Sequence, residues 1–460
     1  MAVASSPMTE VEQLAAFVCR ASASQLSGAA REQLKTRVLD SLGVAIAALD
    51  AEPIGMIWAH LADFGGKPLA TLIGGGRTAP DRAAFYNGAL VRYLDFMDSY
   101  LAKGETNHPS DNLAPVLAAA EYAARDGETL LGALAVAYQV HTRLSDVAPV
   151  RAKGFDHTTQ GAYAVAAGVA KALGLDQEKT TNALAISGTC NIALRVTRTG
   201  ALSHWKGLAY PNTAFVGTHA AFLAKQGITG PAEVFEGNKG FKQVIAGPFE
   251  IDWSAEDLER VQRTIIKKYN AEIHSQAAIE GVLDLQREHG FAATDVGRVE
   301  IEIFDVAYNI IGGGEEGDKT VVRTKEDADH SLPYMIAAAL LDGEVLPAQY
   351  EPARIGRADV QNLLRRVEVH PNDTFSARFP HEMPTGITIR LKDGRSFRID
   401  KTDYEGFHTR PMSWEAVAEK FTRLTEPFTS EARRESIIAA VANLERVRVR
   451  ELTAALATLR

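Results

Sequence analysis

The sequence predicts a mostly α fold: a large all-helical domain, and a smaller α+β domain inserted before the C-terminal helices. Three observations carry this. From Val11 to about Leu223, alanine-rich text places apolar residues three and four apart. Near Tyr269 the composition shifts and the apolar spacing falls to two. From Ser413 onward the helical spacing returns.

Taken in order, "VEQLAAFVCRA", "REQLKTRVLDSLGVAIAAL" and "RAAFYNGALVRYL" read as helices. Thr78, Ala79 and Pro80 supply a cap and a first-turn proline for the third. "APVLAAAEYAARDG" is expected to end on Gly127 as its C-cap. "LLGALAVAYQVHTRL" and "GAYAVAAGVAKALG" follow; the latter is small on every side, which suits close packing inside a bundle. After the helix "SQAAIEGVLDLQRE", Val299, Ile301 and Ile303 alternate with charged residues as in a half-buried strand. "RRVEVHP" repeats that pattern, and "GITIRLKDGRSFRID" is a hairpin turning at Asp393-Gly394. The helical text "ADHSLPYMIAAALLDG" lies between them. The cluster Gly312 to Asp318 lacks the Lys-Ser/Thr ending and following helix of a phosphate cradle, and reads as a flexible loop.

The 460 residues are 46% hydrophobic and 23% charged, ordinary for a globular protein with a sizeable core. The net charge of −9, without a long basic run, argues against nucleic-acid binding. Cys19 and Cys190 are the only cysteines, too few for a disulfide scaffold or a thiolate-held iron–sulfur cluster. That economy suits a reducing cytoplasm, and the start "MAVASSPMTEVEQ" does not read as a leader. No apolar run reaches membrane-spanning length.

Titratable residues concentrate in a few connectors. In "YLDFMDSYLAKGETNHPSDN", Asp95 and Asp98 are three apart; sharing one helix face, they would raise one another's pKa. His108 precedes a proline, with Ser110 and Asp111 placed to cap the next helix. The residues alone leave His108 open between a capped surface loop and a rigidly held proton donor or acceptor. "KGFDHTTQGAY" sets Asp156 and His157 before the small-residue helix, which Thr158 or Thr159 would cap. Arg143 and Arg151 are nearby candidate carboxylate partners. Lys206 follows Trp205 and is either partly desolvated or a snorkelling surface lysine. His274 lies where composition changes, and "HSLPY" adds His330 and Tyr334. Histidines, aspartates and a lysine at helix starts suit proton abstraction beside a carboxylate, elimination or decarboxylation. Neither EF-hand nor zinc spacing is present.

Together, "YNGALVRYLDFMDSYLAKGETNHPSDNLAPVLAAAEY", "KGFDHTTQGAYAVAAGVAKALGL", "LSHWKGLAYPNTAFVGTHAAFLAKQGITGP", "KKYNAEIHSQAAIEGVLDL" and "DADHSLPYMIAAALLDG" resemble, in that order, the MmgE/PrpD family. The resemblance spans nearly the whole chain. It implies a helical domain from both chain ends, 1–269 and 405–460, with an α+β lid over 270–404. It implies a homodimer that needs no metal or other cofactor and acts on a small tricarboxylate. It implies that Asp95, His108, His157, Lys206 and His274 line the active site, with Tyr334 a further member. Ser99 falls where decarboxylase members carry threonine. The "LDFxDSYLAKxExxHPSDN" form is closest to the 2-methylcitrate dehydratase branch, departing from it at Met97 and Gly104. Lys103 and Glu105 then read as surface charges.

The mechanism expected on that basis is an elimination of water. Lys206 and the helix start near Thr158 bind carboxylates. His108 or His274 takes a proton; the other, or an Asp95 raised by burial beside Asp98, protonates the departing hydroxyl.

Overall fold

The structure is a computed structural model that describes residues 7–200 and 202–459. The first six residues, on which the leaderless reading partly rests, lie outside the described residues.

The helical body opens with Glu10–Arg20, Gly28–Ala47, Glu52–Phe64 and Pro80–Tyr93. A capping box sets the first start: Thr9 Oγ1 accepts from Glu12 N, and the Glu12 carboxylate accepts from Thr9 N at 2.7 Å. Pro80 opens its helix as predicted, but the residue before it is Ala79 and no side chain caps that end. Leu113–Tyr122, Gly127–Val147, Thr158–Leu173, Gln177–Cys190 and Trp205–Lys225 complete the body.

Gly127 does not end a helix; it begins one. The preceding helix stops at Tyr122, and Asp126 caps the next through Thr129 N at 2.9 Å. The glycine answers a distant contact: a Cβ there would sit 1.8 Å from the Leu444 carbonyl oxygen. The small-residue helix is buried as expected. At Gly168 a Cβ would meet Ala137 Cβ at 2.9 Å and Val116 Cγ2 at 2.7 Å, so glycine lets three helices approach.

The α+β part packs helices Gln276–His289 and Leu332–Asp342 with a four-stranded sheet. Its strand order is Val367–Pro371, Val296–Ile303, Thr385–Leu391, Ser396–Lys401. The first pair is parallel, with Val299 opposite Val367, and the other two pairs are antiparallel. Val299, Ile301 and Ile303 are fully buried, as their alternation predicts. The hairpin turns at Asp393-Gly394, where Gly394 takes φ 93°.

Two apolar clusters form. One joins residues from Val11 to Ile266 with residues from Met412 to Leu459. The helix Trp414–Thr425 thus returns to the first body, with Phe421 against Gly43. The other cluster runs from Ile265 to Phe407 and takes in Leu101 from the hairpin Tyr100–Ala102/Glu105–Asn107. Among the described residues, no single helix is long and apolar enough to cross a membrane.

The crowding at Gly168 yields a stability prediction. Alanine there improves helix propensity by about 1 kcal/mol, but forcing a methyl among three packed helices costs about 1–3 kcal/mol. Gly168→Ala is therefore expected to lower the denaturant midpoint; an unchanged or raised midpoint would contradict the packing account.

Candidate active site

A cleft of about 560 Å³ opens between the helical and α+β parts. Asp95, His108, His157 and Lys206 line it from one side, and His274 and His330 from the other. Six cationic side chains (Arg92, Arg151, Arg195, Arg198, Lys206 and Lys267) face four carboxylates there (Asp95, Glu105, Glu272 and Glu316). The cleft is locally basic in an acidic chain, which suits an anionic ligand.

Asp95 follows the helix Pro80–Tyr93 in a left-handed conformation, φ 53°. A non-glycine residue holds that geometry only where its surroundings enforce it. Here they do. Arg92 Nη1 pairs with Oδ1 at 2.8 Å; Lys267 Nζ reaches Oδ1 at 2.9 Å and the Asp95 carbonyl at 2.6 Å. Burial works to raise the carboxyl pKa, but Lys267, Arg92 and Lys206 outweigh it and hold it well below the ordinary value. Asp95 and Asp98 therefore do not share a face or raise one another. Asp98 is turned into the core, accepting from Ser110 N at 3.0 Å and Tyr138 Oη at 2.9 Å. Its own burial raises it, and Asp95 stays an anion.

The short hairpin brings His108 back beside Asp98 and Ser99. His108 Nδ1 lies 2.8 Å from the Asp98 carbonyl and 3.1 Å from Ser99 Oγ. A carbonyl only accepts, so the proton is assigned to Nδ1 and the lone pair to Nε2. Burial, then the Arg92 charge, push the His108 pKa well below its ordinary value of 6.5. Ser99 stands behind the histidine rather than in the cleft, and its backbone pairs with Ile265 in both directions at 2.8 Å. Ser110 and Asp111 make no capping bond; the helix from Leu113 starts behind a 3₁₀ turn, Pro109–Asn112.

His157 is the residue before the small-residue helix, and neither Thr158 nor Thr159 caps that helix. Its Nδ1 is 3.3 Å from Asp156 Oδ1, and Arg198 Nη2 is also 3.3 Å from Oδ1. Burial and Arg198 depress the His157 pKa, and its buried Nε2 has no partner. Thr158 does not reach the cleft: its backbone N–H donates to Asp156 Oδ1 at 3.2 Å.

Lys206 is buried while Trp205 points outward, so the tryptophan does not shelter it. Its ammonium lies 3.2 Å from Asp329 Oδ1, 2.9 Å from His330 Nδ1 and 3.9 Å from Asp95 Oδ2. Asp95, Asp329 and His330 are spaced to hold a cation. The lysine ammonium sits among them. Burial lowers the Lys206 pKa against the pull of Asp329 and Asp95.

His274 occupies the 3₁₀ turn Ile273–Ser275. Glu272 reaches its Nδ1 at 2.7 Å and its backbone N–H at 2.7 Å, leaving the buried Nε2 without a partner. Burial works to raise Glu272, but His274, His330 and Lys267 bring it down to about 2, so it is a carboxylate at neutral pH.

Tyr334 lies outside the cleft. It is fully buried, and its hydroxyl donates to the Gln349 carbonyl. Leu332–Asp342 is a core helix, and its apolar neighbours carry the tyrosine inward. Glu105 is not a surface charge: it is 3% exposed, lines the cleft, and accepts from Val150 N and Arg151 N, each at 3.1 Å. Met97 is fully buried and touches Arg92, whose Nη1 is 3.6 Å from its sulfur. Arg143 instead pairs with Glu256 at 2.8 Å.

Sequence reasoning did not single out Lys267, Arg92, Arg198, Glu272 or Asp329. Lys267 did leave a signal: a lysine directly after Ile265 and Ile266, where it is 1% exposed. Arg198 pairs with Asp156 on a separate segment and leaves no spacing pattern, whereas Arg92, Glu272 and Asp329 each have a partner close in the chain, in Asp95, His274 and Lys325.

Known proteins match the chain along most of its length. Residues 12–254 match the MmgE/PrpD N-terminal domain and residues 269–446 the MmgE/PrpD C-terminal domain. A cis-aconitate decarboxylase of Mus musculus is 28% identical over 89% of this chain and 86% of its own length. The 2-methylcitrate dehydratase of Escherichia coli strain K12 is 27% identical over 81% of each chain. A mitochondrial 2-methylcitrate dehydratase of Yarrowia lipolytica is 26% identical over 90% of this chain and 84% of its own length. Matched across both parts of the fold, the chain is an enzyme of the MmgE/PrpD family, and the relatives named here are lyases.

Proposed function

We propose that the protein is a 2-methylcitrate dehydratase, forming 2-methyl-cis-aconitate in propionate catabolism without a metal. One observation carries the reading: the cleft holds two histidines whose Nδ1 partners differ in charge. His108 faces a neutral carbonyl and His274 an ionised carboxylate.

In this reading the substrate carboxylates lie against the basic side chains around Lys206 and Arg198. His108 Nε2 takes the proton from the carbon next to a carboxylate. The C–H pair becomes the alkene π bond as the C–O bond breaks. His274, its Nδ1 against the Glu272 carboxylate, gives a proton to the departing hydroxyl, which leaves as water. Lys206 and Lys267 oppose the negative charge that builds on the activated carboxylate. Asp95, an anion between these lysines, fixes them rather than moving a proton. The Lys206 ammonium, amid Asp95, Asp329 and His330, supports the metal-free assignment.

We also propose a cytoplasmic homodimer in which residues 270–404 form a lid over the helical part. Both cysteines are free. Ile192, Leu194 and Val196 are 49%, 61% and 70% exposed, an apolar strip that a second copy would cover. Leu194→Asp is expected to shift the species seen by light scattering from dimer to monomer; a wild-type monomer would refute the assembly.

The reaction is tested with purified protein, 2-methylcitrate and cis-aconitate, following alkene absorbance and carbon dioxide release. Alkene from 2-methylcitrate is expected. Carbon dioxide from cis-aconitate with no alkene from 2-methylcitrate would make the enzyme a decarboxylase instead. A chelator is expected to leave the rate unchanged; loss restored by added metal would overturn the metal-free reading.

His108→Ala and His274→Ala are each expected to lower kcat by about 10²–10⁴-fold. The base must be unprotonated, and the His108 pKa is held below 6.5, so the acid-side loss of activity sets in only as pH falls beneath that value. An acid limb centred above 6.5 would contradict His108 as base. Tyr334→Phe is expected to leave kcat/KM nearly unchanged while costing about 1 kcal/mol of stability, since it strands a buried carbonyl. A large kinetic loss would return Tyr334 to the site.

A further inference from the structure

Lys420 belongs to the helix Trp414–Thr425, far along the chain from every residue of the cleft, and it does not line that cleft. Its ammonium is nevertheless buried directly behind it. Nζ donates to the Lys267 carbonyl at 2.8 Å and the Phe96 carbonyl at 3.0 Å, and pairs with Asp40 Oδ1 at 2.7 Å. It also stands 3.7 Å from the centre of the Phe96 ring. Asp40 is 1% exposed and Lys420 8%.

These two carbonyls belong to the two segments that meet at Asp95. Phe96 is the next residue after Asp95, and Lys267 is the residue whose ammonium grips Asp95. Two further ties join the same segments: the Ser99–Ile265 backbone pair, and Asn270 Nδ2 donating to the Leu94 carbonyl at 2.7 Å. Lys420 is the tie between them that approaches from the helical side. Asp95 needs such support because its left-handed backbone is unfavourable for a residue with a Cβ.

We propose that Lys420, held by Asp40, is a positioning residue: it clamps Phe96 and Lys267 so that Asp95 and the Lys267 ammonium stay in place at the cleft floor. This rests on the reading of that cleft as the polycarboxylate site. Lys420 touches no substrate and acts only through those backbone segments. Without its ammonium, two carbonyls and the Asp40 carboxylate would be buried and unpartnered, and the segments would separate to admit water.

The test uses the full chain and the variants Lys420→Met, Lys420→Arg and Asp40→Asn. Hydrogen exchange by mass spectrometry reads residues 94–99 and 264–270, and calorimetry reads binding of tricarballylate, an unreactive tricarboxylate. Lys420→Met is expected to accelerate exchange in those two segments and weaken tricarballylate by about tenfold to a hundredfold, as a small displacement of a binding constellation does. Lys420→Arg, which keeps donors for both carbonyls and a charge for Asp40, is expected to restore most of both. Should Lys420→Met not fold, Asp40→Asn keeps the side-chain volume and both carbonyl bonds while removing the counter-ion. It is expected to accelerate exchange in the same segments to a smaller degree. Folded variants whose exchange in 94–99 and 264–270 and tricarballylate affinity match wild type would overturn the proposal. So would a loss that Lys420→Arg does not restore. Failure of wild type to dehydrate 2-methylcitrate would refute the reaction but leave these two readouts intact. Should wild type not bind tricarballylate, exchange alone decides the role of Lys420.

Discussion

The architecture turns on how one buried anion is compensated. Asp95 is met by Arg92 from its own helix end, Lys267 from the seam between the two cores, and Lys206 from the helix Trp205–Lys225. Through Lys206 the compensation extends to Asp329 and His330 in the α+β part. Through Lys267 it extends to Lys420 and Asp40 in the helical part. Buried ion pairs roughly break even against apolar packing, whereas removing one partner costs about 3–5 kcal/mol. The network therefore adds little net stability but makes any displaced arrangement expensive. It fixes where the two parts of the fold stand at the cleft.

Size would point elsewhere. A larger cleft, about 1670 Å³ against about 560 Å³, lies on another face beside Lys268, Glu280 and Arg410. Its charges are satisfied by one another: Lys268 pairs with Glu405 at 2.7 Å, and Arg423 with Glu344 at 2.5 Å. The smaller cleft differs in kind. There His157 Nε2 and His274 Nε2 are buried without partners, and cations outnumber carboxylates. Unsatisfied buried polar atoms are costly, and they mark places where a ligand completes the bonding. Chemistry, not volume, distinguishes the site. Both clefts touch the same clamp, since Lys420 lines the larger one and bonds the floor of the smaller.

Much of this was legible in the sequence where local periodicity governs. The helices from Val11 to Leu223, the strand around Ile301 and the Asp393-Gly394 hairpin all follow from spacing and turn chemistry. What spacing could not convey was contact between distant segments. Gly127 looked like a helix stop because the Leu444 carbonyl that demands a glycine lies over three hundred residues away. Asp95 and Asp98 looked alike, three apart, yet one meets three cations and the other a tyrosine and an amide. Glu105 looked solvated because the amides it accepts from, at Val150 and Arg151, are remote in sequence. Tyr334 is the converse case: offered by "HSLPY" and by the resemblance, it lies in an apolar helix whose neighbours carry it into the core. Asp95, His108, His157, Lys206 and His274 do converge on the cleft, but the pairs of Lys267 and Lys206 with Asp95, and of Arg198 with Asp156, join distant segments and had no sequence signature.

The two activities named among the relatives differ in what they ask of such a cleft. Loss of carbon dioxide from an unsaturated tricarboxylate needs a proton donor for the carbon that inherits the electron pair, and no base at carbon. Loss of water needs both. A histidine kept neutral by burial and by Arg92, with its proton parked on a carbonyl, is a poor donor and a competent acceptor. A histidine against an ionised glutamate is suited to carry the positive charge of a donor. A decarboxylase would use the second and leave the first idle, whereas a dehydratase uses each in the role its partner prepares. The proposed dehydration therefore rests on the contrast between the partners of His108 and His274, a carbonyl for one and a carboxylate for the other.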